Sequence, residues 1–352
     1  MAQVMTVLGP MDAAKLGVTM SHVHLLIELA VAEQRENPDN ASRKVQYEGK
    51  ITMDILGALR RRVHLVKDNL IMGDIDEQIG ELMFYKRFGG VSVVEPGVIG
   101  LGRDVVGLRQ IAAATGVNVI ASSGWYIGAS HSPATREASV EQLSAQMIRE
   151  LTAGVDNTGI RTGVLKAALS GATVDAPYSP SEEKVLRAGG RAQAATGAAM
   201  FIHPCHHYGR ARHLEHYLDV LKSEGANLEK IFLGHVDFWA GDIEYQRRVL
   251  DRGAMVSYDC FGEEMYVRPG FVRPTDVARV AGVVKLCELG YEKQVLLSAE
   301  CAYKTTLRKY GGYGYAHILE NILPDLRYYG VSEAKIGTML VDNPRRLLPF
   351  NL

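Results

Sequence analysis

The stretch Ser21-His22-Val23-His24-Leu25, directly after Gly17-Val18-Thr19-Met20, decides how the rest of the chain is read. In an extended strand alternate side chains share a face, so His22 and His24 point the same way and two imidazoles converge. That is how the first strand of a barrel grips a metal. The pair also has an ordinary reading. With 11 His in 352 residues, a His-x-His arises by chance about one time in three, and half-buried histidines without a metal are common.

The other apolar runs bear on the choice. The chain alternates short β-branched runs with longer amphipathic stretches, the pattern of repeated βα units around a parallel sheet. After the His-x-His segment come runs at 91–95, 117–122, 162–168, 198–203, 230–235, 254–259 and 294–300. Between them lie helical stretches at 74–88, 104–115 and 139–153, and Ser179-Pro180-Ser181-Glu182 opens another. There Ser is the N-cap, Pro takes the first helical position and Glu reaches back. Eight strands separated by helices is the count of an α/β fold closed as a single (β/α)8 TIM barrel, here one domain over 1–352. Ser332 and Asn343-Pro344 start extra C-terminal helices that close it. The polar excursion 33–50 reads as a long loop, a candidate lid.

Composition removes several function classes. A net charge of -1 argues against a nucleic-acid footprint, and Arg60-Arg61-Arg62 reads as the solvated face of a helix-like stretch. No apolar run approaches the roughly 18 residues that span a bilayer. The start shows no secretory pattern. Cys205, Cys260, Cys287 and Cys301, without paired spacing, read as reduced thiols of a cytoplasmic protein.

Barrel chemistry sits at the C-terminal strand ends, which carry the βα loops. Strand one ends in His22 and His24, strand four carries Lys166, strand five ends in His203, strand six in His235 and strand eight in Glu300. Four imidazoles and a carboxylate suit Zn²⁺, with Mn²⁺, Co²⁺ and Fe²⁺ as competitors. Lys166 is the odd member, because an ammonium has no lone pair. It belongs there only if chemically altered or as a nearby charge partner.

This ordered set resembles the phosphotriesterase-like branch of the amidohydrolase superfamily: His22-x-His24, Gly163-Val164-Leu165-Lys166, His203, Gly234-His235 and an acid on strand eight. Val7-Leu8-Gly9 through Thr19 and Lys309-Tyr310-Gly311-Gly312-Tyr313-Gly314-Tyr315-Ala316-His317-Ile318 resemble the family's opening and its segment after strand eight. The resemblance implies a carbamate on Lys166 that bridges two divalent metals. One would be held by His22, His24, the carbamate and Glu300, the other by the carbamate, His203 and His235, with a hydroxide between. Catalytic roles then fall to Glu300 and Lys166. One departure stands out: Ser298-Ala299-Glu300 carries Glu where the family usually has Asp, which would displace the hydroxide by up to about an ångström.

The expected activity is hydrolysis of a carboxylic ester, lactone or amide. The alternatives are a phosphotriester or phosphoester hydrolase, a non-catalytic metal-binding homologue, and a one-metal enzyme with unmodified Lys166. The small-molecule pocket is expected from Trp125, Tyr126, Tyr266 and Tyr303, with Arg268, Lys304 and Arg308 as candidates for an anionic group and His131 for substrate contact. Cys205, His206 and His207 follow His203 too closely for a second metal site and read as a loop. Barrels of this kind often pair, so a homodimer is expected. No organic cofactor is required.

Overall fold

The computed structural model describes residues 2–29, 47–171, 173–207, 209–268 and 271–351. Most of the candidate lid at 33–50 lies outside the described residues. Eight strands form one parallel sheet in chain order: β1 (Thr19–Met20), β2 (Ser92–Glu95), β3 (Asn118–Trp125), β4 (Val164–Ala168), β5 (Ala199–His203), β6 (Ile231–Leu233), β7 (Met255–Tyr258) and β8 (Val295–Leu297). Seven helices alternate with them: α1 (Ile75–Arg87), α2 (Val105–Thr115), α3 (Val140–Thr152), α4 (Pro180–Thr196), α5 (Leu214–Ser223), α6 (Ile243–Leu250) and α7 (Asp276–Glu288). The expected barrel is therefore the observed one.

The helices start where side chains can satisfy their free backbone N–H groups. Asp74 accepts from the N–H of Glu77 and Asp104 from those of Val106 and Gly107. Ser139 forms a capping box with Gln142, and at Ser179 the Glu182 carboxylate reaches back to accept the N–H at 2.6 Å. The closing helices also appear, at Glu333–Gly337 and Asn343–Leu347. Leu347 and Leu348 then join Val4, Ala13 and Leu16 in the barrel's interior cluster, among Val94, Ile120, Val164, Phe232, Met255 and Leu296. The hairpin Gln3–Thr6/Gly9–Asp12, which alternation alone does not reveal, supplies the first of these plugs. The opposite end is left for chemistry.

One expectation is corrected. His22 and His24 are not in a strand: β1 stops at Met20, and both histidines lie beyond its C-terminal end. The ladder also does not run from β8 to β1. The seam is made by the site segments themselves. Ser298 Oγ accepts from the His22 N–H at 3.0 Å and donates to the His22 carbonyl, and the His24 N–H donates to the Glu300 carbonyl at 2.9 Å. Tyr315, in the segment after β8, donates its hydroxyl to the His24 carbonyl at 2.7 Å. The spent backbone groups leave no capacity for a regular ladder, so the chain turns and aims its imidazoles inward.

Candidate metal centre

The six strand-end residues meet at the open end of the barrel. His22 Nε2 lies 3.2 Å from His24 Nε2, and Glu300 Oε1 lies 3.5 Å from the first and 3.9 Å from the second. Two nitrogen ligands on a tetrahedral zinc stand about 3.3 Å apart, so the pair already has ligand spacing. On the other side His203 Nδ1 and His235 Nε2 are 2.7 Å apart, and His235 Nε2 is 3.8 Å from Glu300 Oε1. The ligand atoms of His22, His235 and Glu300 all fall within 4.8 Å of one another.

Two acids orient this cluster, and neither is among the expected residues. Asp259, directly after β7 and fully buried, places Oδ2 2.9 Å from His22 Nδ1 and Oδ1 3.0 Å from His235 Nδ1. Glu95, the last residue of β2, holds His24 Nδ1 at 3.1 Å and accepts from the Gly97 N–H at 3.0 Å. Each acid fixes its imidazole with Nδ1 as donor and leaves Nε2 as a lone pair facing the centre, the arrangement a metal needs. The Cys260 thiol lies 3.2 Å from His235 Nδ1. Glu95 ends β2 and Asp259 follows β7, beside the strand-end positions that pointed to His203 and His235.

Local backbone serves the same end. Gly234 precedes His235 because a Cβ there would stand 2.4 Å from the Phe201 ring and 2.9 Å from Asp259 Oδ2. His235 itself takes a left-handed conformation (φ 55°), as does Cys301 (φ 50°) after Glu300. Such conformations cost about 1 kcal/mol or more in a non-glycine residue. At His235 the strained turn is held by Asp259 Oδ1, which accepts the His235 N–H at 2.8 Å.

Electrostatics sort the cluster into unlike groups. Burial lowers His22 to about 4, against the opposing pull of Glu300 and Asp259. Burial, together with the charges of His235 and Lys166, drives His203 well down. At His235 burial also pulls downward, but the Asp259 and Glu300 carboxylates win and hold it up at about 9. For Asp259 and Glu300, burial works against the charged form and is overcome by the histidines, so both sit below the usual carboxylate range. In the metal-free cluster the His235 proton thus fills part of a cation's place.

Lys166 is the clearest anomaly. It is 0% exposed, its Nζ has no hydrogen-bond partner, and it lies 5.3 Å and 5.6 Å from the ring centroids of Phe201 and Tyr126. Burial lowers it to about 8, against the raising influence of Glu300, Glu95 and Asp259. A fully buried, unbonded ammonium costs several kcal/mol. A carboxylated amine would replace that cation with an anion facing four imidazoles, so the donor set fits a bridging carbamate and two divalent cations.

Above the cluster opens a cavity of about 520 Å3, within the usual range for small-molecule sites. Its lining includes Tyr126, Tyr266 and Tyr303 among the expected contacts, together with His203, His235 and Glu300. Trp125, His131, Lys304 and Arg308 do not line it. His131 is buried between Ser181 Oγ (2.9 Å) and the Tyr126 carbonyl (2.7 Å). Lys304 pairs with Asp68 at 2.9 Å, and Arg308 pairs with Glu320 over the Phe84 ring. Those charges are already matched. His206 stacks on Phe238 with centroids 4.1 Å apart in the cavity wall, which agrees with the loop reading of 205–207. Arg61 and Arg62 are exposed, as expected of a solvated stretch, but the short helix Leu56–Leu59 ends before them and both also line the cavity. All four cysteines are free and buried, as expected. No helix among the described residues is long and apolar enough to cross a membrane.

Comparison with known proteins agrees with the geometry. The sequence pattern of the Phosphotriesterase family matches residues 2–348. N-acetyltaurine hydrolases of Xenopus tropicalis and Homo sapiens are 32% and 33% identical, over 99% of this chain and 98% of theirs. A Resiniferatoxin-binding protein from Rhodobacter sphaeroides is 32% identical and superimposes with a TM-score of 0.93 over 99% of this chain and 95% of its own. A lactonase from Listeria monocytogenes, 22% identical over the whole of both chains, shares the fold with a TM-score of 0.79. A match along nearly the whole length, on a barrel whose strand ends carry the family's residue types, has one conclusion: the chain belongs to the phosphotriesterase family and is a metal-dependent hydrolase.

Proposed function

We propose that the cluster holds two divalent cations, zinc by its donor set, and hydrolyses a carboxylic amide. The observation that carries this reading is the orphaned Lys166 Nζ among four imidazoles. His22, His24 and Glu300 would hold one cation and His203 and His235 the other, with carboxylated Lys166 between them. When bound, such a pair makes water acidic enough to yield hydroxide near neutral pH and polarises a carbonyl oxygen.

The chain's own residues do the rest. Asp259 and Glu95 keep three imidazoles in the ligating tautomer. The Glu300 carboxylate, which lines the cavity, takes the proton of the attacking water and returns it to the departing nitrogen. Glu in place of Asp reaches one methylene farther, and the left-handed turn at Cys301 sets where that longer arm ends. An amide is preferred to a phosphotriester or lactone because the relatives above 30% identity over full length include N-acetyltaurine hydrolases.

The test is amine release from a panel of N-acyl amines, esters, lactones and phosphotriesters by zinc-loaded protein, with metal content and the mass at Lys166 measured on the same sample. Two metals per chain, one added carbon dioxide and amine release are expected. Two metals with amides untouched and phosphotriesters cleaved would reverse the substrate assignment.

A further inference from the structure

The charges lining the cavity are lopsided. Among the described residues they are three guanidinium groups, from Arg61, Arg62 and Arg273, beside Glu300 and His235, which belong to the metal cluster. Burial lowers His64 to about 4 and His206 well below its ordinary value, so neither adds charge near neutral pH.

The guanidinium groups sit on one wall. Tyr266 and Arg273 flank one hairpin, in which Tyr266 pairs with Val272 and the Arg273 N–H donates to the Met265 carbonyl at 2.9 Å. Arg61 lies over Tyr266, its Cζ 4.1 Å from the ring centroid. Arg273 is matched from behind by Glu263, which is only 1% exposed. Arg61 and Arg62 meet no carboxylate among the described residues. Across the barrel, beyond β3 and β4, Ile127 and Leu169 give the cavity an apolar side.

We infer that the wall formed by Arg61, Arg62 and Arg273 reads an acid group on the amine half of the substrate, so that the enzyme acts on N-acylated amino acids or aminosulfonates. This rests on the amide reading above. With the scissile carbonyl at the metal cluster, the acyl group lies toward Ile127 and Leu169 and the acid on the arginine wall. A guanidinium presents parallel N–H donors that match two oxygens of a carboxylate or sulfonate. Stacking on Tyr266 holds Arg61 in one orientation before the ligand arrives, which lowers the ordering cost of binding.

The test uses zinc-loaded full-length protein and three amides: N-acetyltaurine, N-acetyl-β-alanine and uncharged N-acetylethanolamine. Wild type is expected to favour the acid-bearing amides. Arg61→Gln/Arg62→Gln, both exposed and checked for zinc content and circular dichroism, is expected to cut that preference by about tenfold to a hundredfold, chiefly through KM. Raising the salt concentration should erode the wild-type preference in the same direction. The ratio of the two acidic amides tells sulfonate from carboxylate. The inference is overturned if wild type cleaves the neutral amide as well as the acidic ones, or if the double variant keeps the wild-type preference. Should no amide be cleaved, the amide reading fails by itself and calorimetry decides the wall: weaker binding of N-acetyltaurine by the variant supports it, and equal or absent binding by both proteins overturns it.

Discussion

Lys166→Met separates the cost of the buried amine from its use. Methionine nearly matches the lysine stem in length and is at home against Phe201 and Tyr126. In metal-free protein the wild-type ammonium is disfavoured by burial, and its fall from the ordinary 10.5 to about 8 corresponds to about 3 kcal/mol at 1.36 kcal/mol per pH unit. Unfolded lysine keeps its proton until about pH 10.5, whereas folded Lys166 releases it near 8. Wild type therefore carries the full penalty below pH 8 and regains stability as the pH rises toward 10.5. Chelator-treated Lys166→Met in carbon-dioxide-free buffer should be the more stable protein at pH 7 by about 3 kcal/mol, and the gap should shrink by pH 10. Urea unfolding followed by circular dichroism gives the difference from the two midpoints and the shared slope. With zinc and bicarbonate restored, the order should invert, since only wild type can hold the bridge. A stripped variant no more stable than stripped wild type at pH 7 would refute the claim that Lys166 is an uncompensated buried cation.

Three further outcomes follow from the same geometry. Asp259→Asn removes the charge that orients His22 and His235 together, and zinc affinity in a competition titration should fall about tenfold to a hundredfold with helix content unchanged. Because metal binding needs neutral imidazole and His235 is held up at about 9, zinc affinity should rise with pH by about tenfold per unit from 6 until it levels near 9, as read by metal titration; a flat profile would mean that no proton is displaced there. Ser298→Ala strips the seam of a hydroxyl that serves both the N–H and the carbonyl of His22. It should cost about 2 kcal/mol in urea unfolding and loosen metal retention with it.

The barrel was legible because its signals are periodic. Each strand run sits between helical stretches, and those opening at 74, 104 and 139 are capped by Asp74, Asp104 and Ser139, while at Ser179 the expected back-reach of Glu182 is present. The ligand types were legible for a related reason: polar residues at strand ends are costly unless something binds them. What escaped was set by chain direction beyond the strand ends. That the exposed Arg61 and Arg62 also line the cavity depends on where the helix at Leu56–Leu59 stops, and no Gly or Pro marks that stop. Lys304 and Arg308 were drawn to the pocket by position after β8, yet Asp68 and Glu320, distant in sequence or across a turn, had already claimed them. Pairing with a far residue leaves no local trace.

The seam shows why fold and site cannot be assigned to different residues here. In a closed barrel the last strand must meet the first, and an ordinary ladder would use the backbone of 21–24 and 298–300 to do so. In this chain those segments carry two histidines and the acid of the centre, and a regular β conformation would send His22 and His24 to the same face without the turn that brings their Nε2 atoms to 3.2 Å. Side chains replace most of the ladder, Ser298 for the pairing at His22 and Tyr315 for the carbonyl of His24, with one backbone bond left from the His24 N–H to the Glu300 carbonyl. Closure by side chains leaves the backbone free to curve toward the centre. It also makes closure depend on a few hydrogen bonds beside six groups that, without metal, keep a proton on His235 and an uncompensated ammonium at Lys166. Metal occupancy and closure of the seam should therefore be lost together, so a variant such as Ser298→Ala that opens the seam should shed zinc at a denaturant concentration where α3 and α4, which are not part of the seam, still hold their helical signal.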